Sequence, residues 1–229
     1  MSYVLVTANR NYSSWSLRPW ALMKGLGIAF SDRVEPFLKA TNYEMFRGFS
    51  PTGQVPVLIH GERTVWDSLG ITLYLADRHD GVWPEDEAAR AFAQCAVTEM
   101  HGGFAALRND CPMNVGVRVD PGPMSASLRR DIARLREIFE QGLERFGGPW
   151  LAGSGFCALD AFFAPVAFRI RTYGLDVGAG AAWVETMLGH PAMRQWEREA
   201  LAETGREESH EAEVAAAGTI RADYRALPS

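Results

Sequence analysis

The spacing of apolar residues changes near residue 82 and divides the chain into two halves with different predicted structures. In the first half, short apolar runs separated by turn residues indicate strands that alternate with short helices. The predicted strands are Tyr3–Thr7, Ile28–Val34, Val55–Ile59 and Arg63–Trp66. The predicted helices are Leu17–Leu26, Tyr43–Phe49 and a third that Asp67 or Ser68 caps. This order predicts a small mixed sheet with helices on its faces.

The second half has the residue spacing of amphipathic helices, and helices alone are predicted there. They are Glu87–Arg108, Ser125–Phe146, Leu159–Tyr173, Ala181–Leu188 and Ala192–Glu203. The third of these is almost wholly apolar and is expected to be the buried central helix. From about Gly205 the charged, alanine-rich tail is expected to drape over the surface or to fray. With the junction at residues 80–84, the predicted domains are residues 1–80 and 87–229.

Composition narrows the function classes. The chain has 229 residues, 47% of them hydrophobic, and a formal net charge of −5. These values exclude a disordered chain and argue against a nucleic-acid partner, because phosphate binding needs surplus Lys and Arg. Cys95, Cys111 and Cys157 form neither a disulfide framework nor a zinc-ligand spacing, so no metal is expected and a reducing cytoplasm fits best. No apolar run is long enough to cross a membrane, so no membrane partner is expected.

Pro56 is the first candidate for chemistry, because a proline inside a strand belongs at an edge or a bulge. A cis bond after Val55 would leave the N–H and C=O of Val55 facing outward. There they could pair with an extended peptide ligand. An ordinary trans proline at a sheet edge is the commoner alternative.

Asp67 and Ser68 stand where a helix is predicted to begin, and either residue is a good N-cap. A helix N-terminus also presents free N–H groups and a positive potential that suit a ligand carboxylate, while Asp67 could meet a ligand ammonium. Together they would hold the zwitterionic end of an amino acid or of a γ-glutamyl group.

The turn before the first helix carries Ser13, Ser14 and Ser16, directly after Tyr12. A hydroxyl at this helix N-terminus could donate to a thiolate that the helix dipole keeps ionised. The alternative is that Ser16 is the N-cap and the other serines are turn residues. Because Pro19 lacks the N–H that a helix interior uses, regular helical bonding is expected to begin near Ser16. The hydroxyl of Tyr12 is a further alternative for the thiolate contact.

These motifs, in this order, resemble the cytosolic glutathione S-transferases over nearly the whole chain to about residue 203. The most specific segment is Ser50–Leu58, followed by the acid-Ser pair at residues 67–68. The resemblance implies a thioredoxin-like α/β first domain joined to an all-helical second domain. It also implies glutathione as co-substrate, a cis proline in the turn and a homodimer. The residues that it assigns to glutathione are Gln54, Val55, Pro56, Asp67 and Ser68.

The serine loop looks like the serine-type branch of that family, which includes the zeta and theta classes. Comparison with these classes assigns the catalytic contact with the sulfur to Ser14 or to Ser13. Trp15 stands where the zeta motif has a cysteine, which argues against maleylacetoacetate isomerase activity. Cys157 stands where the family places Ser or Thr before the Asp of the central helix, so Asp160 is expected to cap that helix alone.

His101 and Arg108 are seven residues apart on one predicted helix and are therefore expected to share a face. With Trp15 and Phe104 they are assigned to the second-substrate pocket, as a wall for an acidic or carbonyl-bearing electrophile. An interdomain salt bridge is the alternative. The expected function is the transfer of glutathione to a small electrophile in detoxification. A glutathione-dependent isomerase or peroxidase, or a non-catalytic binding protein, are the alternatives.

Overall fold

The computed structural model describes residues 2–37 and 42–227, and the first half of the chain contains the predicted mixed sheet. Its strands are β1 (Tyr3–Thr7), β2 (Phe30–Val34), β3 (Val57–His60) and β4 (Arg63–Val65). The order across the sheet is β2-β1-β3-β4, with β1 parallel to β2 and antiparallel to β3. The helices of this half are α1 (Ser14–Gly25), α2 (Asn42–Arg47) and α3 (Ser68–Ala76). The predicted α/β class of the first half is confirmed.

Helix α1 begins earlier than the sequence predicts. Ser13 is its N-cap residue, and the N–H of Leu17 donates to the carbonyl of Ser13 at 3.2 Å. The expected start near Ser16 is wrong because the helix accommodates Pro19 in its interior, where only the hydrogen bond of the missing N–H is lost. Ser14 therefore lies in the first turn, where the positive end of the helix dipole is strongest.

The second half is helical, as predicted. Its helices are α4 (Glu87–Gly102), α5 (Ala105–Asp110), α6 (Ala126–Phe146), α7 (Ala158–Tyr173), α8 (Gly180–Gly189), α9 (Pro191–Ala202) and α10 (Glu208–Ala217). Helix α7 is buried along its length and packs against α1, α4 and α8. Because it is apolar on every face, it joins the two halves into one core.

Asp160 caps α7 together with the thiol before it. One carboxylate oxygen accepts from the N–H of Cys157 at 3.1 Å and from its thiol at 3.6 Å. The other accepts from the N–H of Leu151 at 3.0 Å and from Nε1 of Trp183 at 2.8 Å. The fully buried carboxylate thus connects the preceding loop, α7 and α8.

The long helix predicted over Glu87–Arg108 is two helices, because the chain breaks at Gly103 and Phe104. Phe104 has a left-handed φ of 58°, a conformation that cannot continue an α-helix. Arg108 then folds back, and its guanidinium donates to two carbonyls at the end of α4. The prediction that His101 and Arg108 share one helical face is therefore wrong.

The tail beyond residue 205 is folded, so the expectation that it drapes or frays is wrong. Strand β6 (Gly218–Asp223) pairs antiparallel with β5 (Val117–Pro121), a ribbon that the helices-only prediction for this half did not contain. Val214 and Arg225 are buried where the tail docks. Within the described ranges, none of the helices combines the length and the apolarity that crossing a membrane requires.

Candidate active site

A cleft of about 770 Å³ opens at the N-terminal end of α1, between the two halves of the chain. Its remaining walls come from α2, α5, α7 and α10 and from the turn before β3. Eight of the predicted site residues line it: Ser13, Ser14, Trp15, Gln54, Val55, Pro56, Asp67 and Arg108. Three do not line it: Ser68, His101 and Phe104.

The two candidate hydroxyls at the start of α1 have different hydrogen-bond partners. The Oγ of Ser13 donates to the Oγ of Ser16 at 2.7 Å, and Ser16 accepts from the N–H of Ala8 at 3.3 Å. The Oγ of Ser14 has no hydrogen-bond partner among the described residues, and Ser14 lines the cleft. Its hydroxyl can therefore donate to an anion held at the positive end of α1.

The turn before β3 brings unpaired backbone to the cleft. The Val55–Pro56 bond is cis, and Gly53 has a left-handed φ of 67°. A Cβ on Gly53 would lie 2.6 Å from the ring of Tyr43, so the turn needs glycine. The ladder between β1 and β3 ends at Val57, and the N–H and C=O of Val55 find no partner in the described part of the chain. They are available to pair with an extended ligand.

Asp67 caps α3 and lines the same cleft. One carboxylate oxygen accepts backbone N–H groups of α3, and the other lies 3.3 Å from Nε2 of His101. Burial, with smaller effects from Arg18 and Arg108, lowers the pKa of His101 despite the opposing effect of Asp67. His101 is therefore neutral at pH 7, and the half-exposed carboxylate keeps its charge for a cationic partner.

Trp15 separates the cleft from a buried arginine. The guanidinium carbon of Arg18 lies 4.0 Å from the centre of the Trp15 ring, and that of Arg108 lies 5.1 Å from it. Arg18 donates a long hydrogen bond of 3.4 Å to the Oγ of Ser68, which is fully buried behind the cleft. His101 packs edge-on against Trp15 at 5.3 Å, as part of the contact between the two halves.

The end of α9 holds the serine loop in place. The carboxylate of Glu203 accepts from the N–H groups of Arg10 and Asn11 at 2.6 and 3.2 Å, and from Nδ2 of Asn11 at 3.0 Å. Trp196 donates to the carbonyl of Arg10 at 2.8 Å, and the Arg10 guanidinium lies over its ring at 4.4 Å. The position of Ser14 therefore depends on contacts from the second half.

The tail forms one wall of the cleft. His210 lines it and stacks on the rings of Phe37 and Tyr12, with centroids 5.1 and 5.0 Å away. The hydroxyl of Tyr12 donates to the carboxylate of Glu211 at 2.7 Å, and Arg225 pairs with the same carboxylate. Burial and Glu211 raise the pKa of Tyr12 well above its usual range. The proton of Tyr12 is thus committed to Glu211 rather than offered to a ligand.

Much of the lining was not predicted from the sequence. The unpredicted residues include Phe37, Tyr43, Met113, Arg169, His210 and Glu213. Arg169 alone carried a signal, because it is a cation in the mainly apolar α7 and cations are seldom buried without a partner. The other residues come from α2, from connecting segments and from the tail, whose docking no local pattern indicates.

A second groove, of about 840 Å³, lies at the junction between the halves and is lined by Trp83, Asp86 and Phe156 among others. The carboxylate of Asp86 is occupied in capping α4, where it accepts from the N–H of Ala89 at 2.8 Å. The serine loop does not reach this groove. No three His, Cys, Asp or Glu side chains are grouped as metal ligands among the residues that the structure describes.

Comparison with known proteins shows which ones the chain is similar to. Residues 12–78 match the glutathione S-transferase N-terminal domain. Glutathione S-transferase 1 of Dianthus caryophyllus is 25% identical over 168 residues, covering 72% of this chain and 76% of the relative. Glutathione S-transferase theta-1 of Mus musculus is 26% identical over 187 residues, covering 73% and 71%.

The fold comparison extends the likeness to both halves. A solved glutathione transferase homologue from Burkholderia, with bound glutathione, superposes with a TM-score of 0.66 at 20% identity. It covers 87% of this chain and 98% of its own. The sequence match contains the serine loop, the Val55-Pro56 turn and Asp67, and the fold match adds the helical half. Residues 12–78 are thus a glutathione S-transferase N-terminal domain, and the chain has the fold of the glutathione transferases over both halves.

Proposed function

We propose that the chain is a serine-type glutathione transferase that joins glutathione to a small electrophile. The observation that carries this proposal is the convergence of three groups in one cleft: the Ser14 hydroxyl, the unpaired backbone of Val55 and the Asp67 carboxylate. They are complementary to the thiol, the peptide backbone and the ammonium group of glutathione.

In this arrangement glutathione lies along the turn before β3. The N–H and C=O of Val55 pair with the cysteinyl unit, with Gln54 and Pro56 beside it. Asp67 meets the γ-glutamyl ammonium, and the N-terminal turn of α3 at Ser68 receives the γ-glutamyl carboxylate. The support for this assignment is that Gln54, Val55 and Asp67 line the cleft while Ser68 begins α3.

Ser14 then activates the thiol. A hydrogen bond from its Oγ and the positive end of the α1 dipole both stabilise the thiolate, so the thiol pKa falls below its ordinary value of about 8.5. The thiolate attacks the carbon of the electrophile that bears a leaving group. A carbon–sulfur bond forms, the leaving group departs with its bonding electrons, and the thiol proton passes to solvent. Ser13 does not contact this hydroxyl and instead holds the serine loop through its hydrogen bond to Ser16.

The second substrate occupies the side of the cleft walled by Trp15 and Arg108, with His101 and Phe104 behind that wall. A role in detoxification, a cytoplasmic location and a two-fold homodimer are part of the same proposal. Sedimentation at micromolar concentration tests the homodimer, which predicts a species of twice the 25.3 kDa chain mass.

Calorimetric titration with glutathione tests the binding site, and α3 supplies a matched pair of variants. Asp67→Asn keeps a good N-cap but removes the charge that would face the ammonium. We expect glutathione affinity to fall roughly tenfold, as for the loss of one partly exposed charge-assisted hydrogen bond. Asp77→Asn, at the exposed opposite end of α3, is expected to leave the affinity unchanged.

Two results would reject the site. One is equal glutathione affinity for the wild type and Asp67→Asn. The other is a wild-type protein that shows neither heat of binding nor conjugation with an activated haloaromatic electrophile. Binding without conjugation would select the non-catalytic alternative, and products from hydroperoxides or cis-dienoic acids would select the peroxidase or isomerase.

A further inference from the structure

Three arginine side chains in and behind the cleft wall act on one another electrostatically without a carboxylate partner, and two of them lie over Trp15. They are Arg18 of α1, Arg108 of α5 and Arg169 of α7. None of them forms an ion pair with any residue in the described ranges. Burial, followed by the charges of Arg108 and Arg169, lowers the pKa of Arg18. Burial and Arg108 lower the pKa of Arg169 to about 10. The three cations therefore repel one another, and Arg18 and Arg169 do so while buried.

Two of the three open onto the cleft. Arg169 is 5% exposed and lines the cleft. Its Nε donates to the carbonyl of Cys111 at 2.9 Å. Its two terminal nitrogens have no partner in the described part of the chain. Arg108 lines the cleft too and donates only to backbone carbonyls and a thioether. Arg18 stays behind Trp15, with Nε and Nη2 buried and unpaired. The nearly buried guanidinium of Arg169 thus lines the cleft with the donors of its two terminal nitrogens free.

The carboxylates nearby do not neutralise this pair. Asp67 lines the cleft from the first half, lies 3.3 Å from His101 rather than on either arginine, and is assigned above to the ammonium of glutathione. Glu213 lines the cleft from the tail but forms no ion pair with Arg108 or Arg169. Asp131 accepts the N–H of Leu107 at 2.9 Å. Its charge favours the charged form of Arg108, but burial has the larger effect and the pKa of Arg108 is lowered. The positive charge on this wall is left for a ligand.

We propose that Arg108 and Arg169 form a subsite for a carboxylate on the second substrate, so that the preferred electrophiles are anionic. This inference rests on the proposed transferase function and names its substrate class. A buried cation without a counter-charge is costly, and a bound carboxylate removes that cost. The planar guanidinium fork binds carboxylate through two parallel hydrogen bonds. Both arginines belong to the helical half, whereas the residues proposed for glutathione belong to the first half.

The test compares two electrophiles with the same reacting ring, one anionic and one neutral: 4-chloro-3,5-dinitrobenzoate and its methyl ester. In both, the glutathione thiolate attacks the ring carbon that bears chlorine, a carbon–sulfur bond forms and chloride leaves with the bonding electrons. The carboxylate takes no part in the bond changes. After each kcat/KM is divided by the uncatalysed rate constant, we expect the wild type to prefer the acid by at least tenfold.

Variants of Arg169 locate the preference. Arg169→Met should lower kcat/KM for the acid at least tenfold and for the ester less than twofold, and Arg169→Lys should retain part of the preference. Arg136→Met, at an exposed position on α6, should change neither value. Because Arg169→Met also loses the bond to Cys111, its unfolding midpoint is measured, and Arg108→Met serves as a second variant with the same expected selectivity.

Calorimetry on the two pre-formed glutathione conjugates gives a readout that needs no turnover. The acid conjugate should bind the wild type more tightly than the ester conjugate, and Arg169→Met should abolish that difference. Equal acid and ester rates in a wild type that binds glutathione would overturn the subsite but leave the transferase proposal standing. A weaker affinity of Arg169→Met for glutathione itself would also overturn it, by assigning the arginines to the tripeptide. A wild type that does not bind glutathione would overturn both proposals.

Discussion

At the scale of single residues, two residues of the same type have different environments in the folded chain. Ser13 and Ser14 are both plausible thiol contacts by spacing, yet the hydroxyl of Ser13 is bonded to Ser16 while that of Ser14 is unpaired in the cleft. Asp67 is half exposed, whereas Asp160 is fully buried. Residue type and spacing indicate that such groups matter, but only packing determines which of them faces a ligand.

Replacing Asp160 by alanine tests the buried carboxylate. The variant leaves the N–H groups of Leu151 and Cys157 and Nε1 of Trp183 buried without an acceptor. Each unsatisfied donor costs about 1–3 kcal/mol, so we expect the free energy of unfolding to fall by about 3 kcal/mol or more. Urea denaturation measures it. Asp176→Ala, which removes an exposed partner of Arg136, should cost less than about 1 kcal/mol, and equal losses would contradict the assignment.

At the scale of elements, the tail depends on ionised carboxylates. Glu207 caps α10. Burial alone would raise the pKa of Glu207, but hydrogen bonds from Ser209 and His210 outweigh burial and lower the pKa to about 2. The bonds of Arg225 likewise outweigh burial at Glu211 and lower its pKa. A carboxylate with a lowered folded pKa stabilises the fold above its unfolded pKa, near 4.3, and loses that contribution as the pH falls.

We therefore expect acid to release the tail before the core. Burial raises the pKa of Asp160 to about 6, so the folded state takes up this proton more readily than the unfolded state, and protonation of Asp160 does not weaken the fold as the pH falls below that value. Amide protection factors over residues 208–226, in which the intrinsic pH dependence of exchange is divided out, should fall between about pH 5 and 3 while α7 remains protected. Glu211→Gln should reproduce part of this loosening at neutral pH. Loss of protection in the tail and in α7 at the same pH would contradict this expectation.

At the scale of the whole molecule, the sequence predicts what depends on local pattern. The order of strands and helices, the turn at Val55-Pro56 and the cap at Asp67 all follow from short motifs, and the structure contains each of them. The ribbon of β5 and β6 does not follow, because it pairs segments far apart in the chain. The break at Phe104 escaped prediction since a left-handed non-glycine residue has no local signature.

The cleft shows the same limit. Its first-half wall consists of motif residues, whereas its other walls are brought in by the docking of α7 and α10. Arg169 and His210 reach the cleft only because those helices pack against α1 and the serine loop. The part of the site proposed for glutathione was therefore readable from the sequence, whereas only Trp15 and Arg108 of the part proposed for the second substrate were.

The pKa of the thiol of bound glutathione tests the proposed mechanism most directly. It is measured by following the ultraviolet absorbance of the thiolate against pH in the wild type, Ser14→Ala and the matched control Ser13→Ala. We predict that the thiol bound to the wild type titrates at least about one unit below the free value of about 8.5. Ser14→Ala should raise the pKa of the bound thiol by about one unit towards the free value, and Ser13→Ala should raise it by less. A bound thiol that titrates like free glutathione, or a Ser14→Ala protein with the wild-type value, would contradict the mechanism.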